Sequence, residues 1–145
     1  MNTVHSPQRG AATVEFSLVL LMFLMFMLAV TDLSRLLFAW NAATEASRLG
    51  ARYAVVCDDT GNKAAVLARM QMMQPEIADI ALDWRPAGCT AASCEGVTVT
   101  ITDLRFRWLS PVIGSAVATV ALPTFSTYLP RESMRQDPNS SAMCQ

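Results

Sequence analysis

Residues 9–31 read RGAATVEFSLVLLMFLMFMLAVT, and this stretch decides how the chain folds. From Phe16 to Val30 every residue except Ser17 is apolar. A helix that begins at Ala11 has about 20 residues to Val30 and a length of roughly 30 Å, which is the thickness of a bilayer core. The sequence therefore predicts a transmembrane helix over residues 11–31.

Glu15 is the one ionisable residue inside this apolar stretch. A carboxylate at membrane depth costs a few kcal/mol or more, so its presence requires an explanation. In one interpretation Glu15 lies at the cytoplasmic interface and extends into the headgroups. In the other it pairs with a positive charge on a neighbouring protein. Position alone favours the interfacial interpretation.

The spacing from Gly10 to Glu15, at the head of an apolar helix, resembles the processing site of type IV pilins and pseudopilins. The resemblance implies that a prepilin peptidase cuts between Gly10 and Ala11 and removes residues 1–10 as a leader. Glu15 then becomes the fifth residue of the mature chain, ahead of Phe16. In that family the glutamate attracts the free amino terminus of the adjacent subunit, so the resemblance implies this role for Glu15.

Three blocks of sequence, residues 9–16, 32–38 (DLSRLLF) and 46–54 (ASRLGARYA), resemble the TadE-like family. Its members are minor pseudopilins of tight-adherence (Flp, type IVc) pili. The resemblance implies a pilin-like fold and a role in pilus assembly, adherence or export. The implied partners are the peptidase, other pilins and pseudopilins, an inner-membrane assembly platform and the lipid bilayer. It also implies a single-pass bacterial inner-membrane protein, with the N-terminus in the cytoplasm and the C-terminal domain in the periplasm or in an extracellular pilus.

The composition leaves room for one domain besides the membrane helix. The chain has 145 residues, of which 52% are hydrophobic and 16% charged, and this is too apolar for a disordered protein. The net charge is −1 and the lysines and arginines form no cluster, so no nucleic-acid surface is expected.

The helical pattern continues beyond Thr31, because neither glycine nor proline occurs before Gly50. We predict one helix that ends near Val56 and carries Asp32 and Arg35 as an i, i+3 pair on its solvent side. Apolar residues keep helical spacing in this half, at Leu33, Leu36, Leu37 and Trp40.

A stripe of small residues follows the same helix. Small side chains allow another backbone to approach closely, so this face predicts helix packing. The partner is either the chain's own sheet or the helices of other subunits in a filament, and the sequence leaves both open. The stripe consists of Ala39, Ala42, Ala43, Ala46, Ser47, Gly50, Ala51 and Ala54, and helix packing is predicted for the last six.

The remaining sequence predicts an α+β domain over residues 32–130, with a small antiparallel sheet of about three strands, followed by a polar tail, residues 131–145. Asn62 is expected to cap a helix from Lys63 to Met73, and Glu76 to Ile80 to form a short turn. The strands are predicted at residues 81–85, 96–108 and within 117–128, the last interrupted by proline at an edge. The apolar alternation changes phase near Asp103, which indicates a bulge or a crossover between sheets.

The four cysteines, an even number, fit an oxidising, extracytoplasmic compartment. Three pairings are open. Cys89 and Cys94 are nearest in sequence and bracket a loop of small residues, which favours their bond and leaves Cys57 for Cys144. Four free thiols are the alternative.

The residues argue against catalysis. The only histidine, His5, lies in the predicted leader, so the mature chain has no histidine to activate a nucleophile or to bind zinc. No metal site and no cofactor are expected. Asp79 and Asp83, spaced for one helical turn, remain as a carboxylate pair for an anchored hydrolase. A second alternative is an uncleaved, membrane-anchored periplasmic adaptor that recruits partners.

Overall fold

The computed structural model describes residues 9–57, 61–90, 93–110, 119–131 and residue 144. Within these ranges the chain forms one long helix, a short helix and a four-stranded antiparallel sheet, which confirms the predicted α+β class.

The first helix, α1, runs unbroken from Arg9 to Val56 over 48 residues. It contains no proline, and its glycines, Gly10 and Gly50, lie close to its two ends. At about 1.5 Å per residue it is roughly 72 Å long, so it cannot lie wholly within a bilayer. Its first half is exposed, whereas one face of its second half packs against the rest of the chain. The predicted end of this helix is confirmed.

The second helix, α2, spans Lys63–Gln71 and buries Val66 and Met70 against α1. Asn62 caps it as predicted, because its side-chain oxygen accepts the amide of Ala65 at 3.1 Å.

The strand β1 spans Ile77–Arg85, so the predicted turn over Glu76–Ile80 is wrong. Ile77 and Ile80 are both buried although they are three residues apart, a spacing typical of a helix. The cause is an irregularity in the pairing of β1 around Asp79, which shifts the side-chain alternation.

The sheet is centred on β2, Gly96–Arg107, which pairs antiparallel with β1. β3, Thr119–Ala121, pairs with the end of β2, and β4, Phe125–Pro130, pairs with its beginning. The predicted last strand is thus two short strands, and Pro123 lies between them. Proline has no N–H to donate to the ladder, which accounts for the interruption.

The predicted change of phase in β2 is confirmed. Val97, Val99 and Ile101 are buried, and the buried set then moves to Leu104 and Phe106. The pairing with β1 is irregular beside Asp103, and beyond it β2 pairs with β3 instead of β4. The strand therefore keeps an apolar face toward the core along its whole length.

The core lies between the second half of α1, α2 and one face of the sheet. Its buried members are Ala43, Ala46, Ala51, Ala54, Val55, Val66, Met70, Ile77, Ile80, Val97, Val99, Ile101 and Leu104.

Candidate functional site

The N-terminal part of α1 projects away from the core. Gly10, Ala11, Glu15 and Phe16 are all exposed there, and Phe16 keeps 67% of its surface. Among the described side chains no cation pairs with Glu15. The segment that carries the predicted processing and assembly residues is therefore free of the chain's own domain.

The apolar residues that follow are also unpartnered within the described chain. The apolar stretch of α1 that could span a membrane has 0% of its residues buried. α1 is the one helix of the described ranges that is long and apolar enough to cross a membrane. Such a surface needs an apolar environment from outside the chain, either lipid or other helices.

The small-residue stripe of α1 packs inside the chain. Ala43, Ala46, Ser47, Gly50, Ala51 and Ala54 are all buried. A Cβ atom at position 50 would overlap the Met70 side chain of α2, so only glycine fits there without rearrangement. Ser47 shares a hydrogen bond of 2.7 Å with Thr127 of β4. Of the two packing partners left open by the sequence, the structure shows the chain's own domain, and these positions keep almost no surface for another subunit.

Asp32 lies in the interior of the structure, where the sequence predicted a solvent-facing residue, so that prediction is wrong. Asp32 is 0% exposed. Oδ1 accepts the backbone amide of Leu109 at 2.9 Å, and Oδ2 accepts that of Ser110 at 2.8 Å. Asp32 thus fixes the segment after β2 to α1 at the level where the apolar run ends.

The surroundings of Asp32 suit a carboxylate. Backbone amides of Leu109 and Ser110 and the guanidinium of Arg35 lie beside its two oxygens, so the carboxylate has its partners within the chain.

Arg35 completes this junction. Its Nη1 lies 3.4 Å from Asp32 Oδ1 and donates to the carbonyl of Arg107 at 3.2 Å. Its guanidinium also lies over the ring of Phe106, 5.2 Å from the centroid. Arg35 therefore bridges α1 and the end of β2, and its side chain remains 38% exposed.

Both disulfides of the favoured pairing are present in the structure. Cys57, just after α1, is bonded to Cys144, and Cys89 is bonded to Cys94. The described residues contain no free cysteine. The first bond holds Cys144 of the predicted tail against the end of the long helix; the rest of that tail beyond Arg131 lies outside the described residues.

The carboxylates Asp79 and Asp83 are not one helical turn apart, because both lie on β1. Four residues along a strand separate them by about 13 Å, which is too far for a cooperating acid–base pair. Asp79 pairs instead with Lys63 at 2.6 Å and accepts Thr102 Oγ1 at 3.3 Å. The hydrogen bond from Lys63 is the main cause of a lowered pKa at Asp79.

Sequence reasoning missed the structural role of Asp32. One signal was available: an aspartate in the middle of a helix, at the end of an apolar run and followed by Arg35, lacks any local use as a cap. Its partners could not be named from the sequence, because they lie 77 and 78 residues further along the chain.

A family model described as TadE-like protein matches residues 10–52. The match covers α1 from the predicted cleavage site to the small-residue stripe, which confirms the resemblance read from the sequence over this part of the chain. No curated protein and no solved structure matches the chain significantly.

Proposed function

We propose that this chain is a minor pseudopilin of a tight-adherence (type IVc) pilus system and that a prepilin peptidase processes it after Gly10. One observation carries the proposal. The TadE-like match covers a helix whose head bears Gly10 and Glu15 on an exposed apolar segment that no part of the described chain covers. This is the surface that a membrane-held subunit needs before assembly.

The proposed mechanism is assembly. Hydrolysis of the Gly10–Ala11 peptide bond gives the leader a new carboxylate and leaves a protonated amine on Ala11. The Glu15 carboxylate of one subunit then pairs with the Ala11 amine of its neighbour. The apolar segments pack together as the subunit leaves the bilayer, so that the buried charge is neutralised inside the bundle.

The continuity of α1 supports this mechanism. The same helix supplies the exposed apolar segment and the buried face of the domain, without a break between residues 9 and 56. The N-terminal segment and the domain are therefore joined by continuous helix, with no loop between them. The family match and the one membrane-compatible helix of the described residues fit a membrane-anchored pilus component.

The placement of the domain outside the cytoplasm is part of the proposal. The two disulfides fit an oxidising compartment such as the periplasm, where such bonds form and persist. We place the N-terminus in the cytoplasm and the domain in the periplasm. Within the resemblance, major subunits of these pili are much shorter than 145 residues, which supports a priming, capping or regulatory role over bulk filament formation.

An uncleaved periplasmic adaptor is the second candidate function, because the same anchor and domain would serve it. The carboxylates Asp79 and Asp83 do not support the hydrolase alternative, since the two residues are separated along β1. We therefore propose a structural role and no enzymatic activity for the chain.

Sequencing of the N-terminus of the membrane-bound protein tests the proposal. In cells with the peptidase the chain is expected to start at Ala11, and in cells without it the leader stays attached. Gly10→Trp should also retain the leader, because a bulky side chain replaces hydrogen beside the scissile bond. A leader still attached to the wild-type chain in piliated cells would favour the adaptor.

A further inference from the structure

The polar residues Thr31 and Asp32 predict the end of the membrane segment, but Asp32 presents no polar surface. Its residue is fully buried, and both carboxylate oxygens accept backbone amides of the segment after β2. A charge that is enclosed in protein and paired there does not require water around it. Asp32 is therefore no barrier to a deeper position of the helix in the bilayer.

The hydroxyl groups on this part of α1 are satisfied as well. Each donates a hydrogen bond to a carbonyl of the preceding helical turn, and such groups are tolerated in membrane helices. The pairs are Ser17 with Val14 at 2.8 Å, Thr31 with Met27 at 2.9 Å and Ser34 with Val30 at 2.8 Å.

Large apolar side chains stay exposed beyond Asp32. Phe38 keeps 70% of its surface and Trp40 keeps 46%. Leu109, which the Asp32 junction holds beside α1, keeps 59%. We call this set the basal collar, and its members are Leu33, Leu37, Phe38, Trp40 and Leu109.

The length of α1 that follows Glu15 matches the dimensions of a bilayer. From Phe16 to Arg35 there are about 20 residues, or roughly 30 Å of helix, which is the thickness of the hydrocarbon core. The next stretch, Leu36 to Trp40, covers about 7 Å, close to the thickness of one headgroup layer. Glu15 and Arg35 then lie at the two edges of the core, and Trp40 lies in the interfacial layer where tryptophan is enriched.

We propose that the outer edge of the hydrocarbon core lies at Arg35 rather than at Thr31 and that the basal collar docks the domain on the lipid interface of the same membrane. Arg35 donates to the carbonyl of Arg107, so the end of β2 lies at the same level. The exposed parts of these two arginines can reach lipid phosphates there. The inference rests on the membrane anchorage in the proposed function.

The distribution of the collar favours lipid over a second protein chain. At 100° per residue, Leu33, Leu37 and Trp40 lie within about 60° of one another around the axis of α1, and Phe38 lies about 100° beyond Leu37. Leu109 adds an apolar side chain from a different element at the same level. A packed partner helix covers one stripe, whereas lipid covers exposed apolar surface on several sides. The collar is also continuous with the exposed apolar segment of α1.

Single-tryptophan variants in phosphatidylcholine vesicles with brominated acyl chains test the proposal. Trp84→Phe with Trp108→Phe leaves Trp40 as the reporter of the collar. Trp40→Phe with Trp108→Phe leaves Trp84, which pairs with Val97 about 33 Å along the strands from Arg107 and serves as the distal control. Phe23→Trp in the chain without native tryptophans reports the middle of the span. Circular dichroism first establishes that each variant retains the wild-type fold.

The three tryptophan reporters are expected to differ in which quenchers reach them. The Phe23→Trp reporter loses emission to bromines deep in the acyl chains. Trp40 loses emission to bromines near the headgroups and is shielded from aqueous acrylamide. Trp84, which is partly buried against the core, is quenched by neither set of bromines. If Trp40 behaves like Trp84 while the Phe23→Trp reporter is quenched, the docking of the basal collar on lipid is refuted and the membrane anchorage of α1 is supported. If the Phe23→Trp reporter is not quenched, the anchorage itself fails and the collar with it. Shielding of Trp40 without bromine quenching, lost when the protein-to-lipid ratio is lowered, would assign the surface to a second copy and overturn the proposal.

Discussion

Gly50 of α1 lies directly against Met70 of α2, and a methyl group at position 50 would overlap the Met70 side chain. Both residues are buried, so this contact sets the distance between the two helices. A stripe of small residues on a long helix thus serves here to bring a second helix of the same chain into the core.

Gly50→Ala is expected to destabilise the protein despite the better helix propensity of alanine. Propensity favours alanine by about 1 kcal/mol, whereas overpacking of a buried site costs about 1–3 kcal/mol. We expect a net loss of up to about 2 kcal/mol in chemical denaturation of the full chain in detergent.

A double-mutant cycle with Met70→Ala isolates the Gly50–Met70 contact. In that background Gly50→Ala should become neutral or stabilising, because the overlapping atoms are gone. Gly61→Ala is the control, since an added Cβ there meets nothing within 4 Å. Equal effects of Gly50→Ala with and without Met70 would contradict the contact argument.

Asp32→Asn should loosen the attachment of the segment after β2. The amide side chain offers one acceptor oxygen to two backbone N–H groups, and a buried donor left unpaired is costly. We expect the melting temperature of the full chain in detergent to fall by roughly 5–15 °C. Hydrogen exchange at the amides of Leu109 and Ser110 should accelerate more than exchange within β2.

The matched control for Asp32 is Glu45, which forms the same kind of i, i+3 pair with Arg48 on the same helix. That pair is exposed, with 2.8 Å between Glu45 Oε1 and Arg48 Nη1. Glu45→Gln should change stability by less than about 0.5 kcal/mol. Comparable effects at positions 32 and 45 would show that the buried contacts of Asp32 contribute little.

Part of this architecture could be predicted from the sequence. The extent of α1 and the phase change in β2 follow from local periodicity, and both predictions hold. The role of Asp32 and the fit of Gly50 against Met70 could not be predicted, because each depends on a partner brought near by the fold. The start of β1 could not be predicted, because Ile77 and Ile80 are three residues apart and both face the core only through the irregular pairing around Asp79.

The pair of Asp79 with Lys63 should make a small, acid-sensitive contribution to stability. The pKa of Asp79 is lowered in the folded chain, mainly by the hydrogen bond from Lys63. The contribution is therefore present above the ordinary pKa of about 3.9 and is lost as the pH falls below it. The melting-temperature difference between wild type and Asp79→Asn should be larger at about pH 6 than at about pH 3. A difference that grows in acid would contradict this assignment.

The two disulfides should contribute unequally. The bond between Cys57 and Cys144 spans 87 residues, and that between Cys89 and Cys94 spans 5. Loop-closure entropy then gives about 4–5 kcal/mol for the long loop and about 2 kcal/mol for the short one. Chemical denaturation of the Cys57→Ser/Cys144→Ser and Cys89→Ser/Cys94→Ser variants measures this ratio. Peptide mapping without reduction checks the pairing, and a peptide that joins Cys89 to Cys57 would refute it.

Glu15→Ala separates the two interpretations of the carboxylate at the head of α1. If Glu15 only extends into the headgroups, its removal leaves assembly unchanged or eases membrane insertion, because a costly polar group is lost. If it pairs with the Ala11 amine of a neighbour, the change leaves that amine unpaired inside the helix bundle. Loss of one member of a buried charge pair costs about 3–5 kcal/mol, several hundredfold or more in an assembly equilibrium.

We expect Glu15→Ala to be cleaved and inserted normally but to abolish pilus formation, because recognition of Gly10 and later packing are separate steps. The measurement is co-purification with other pilins together with a pilus count on the same cells. Ser17→Ala is the control, since it removes a polar group two residues away whose hydroxyl donates to the carbonyl of Val14 in its own helix. Normal pili and normal co-purification with Glu15→Ala would contradict the pairing with the Ala11 amine and support the interpretation in which Glu15 extends into the headgroups.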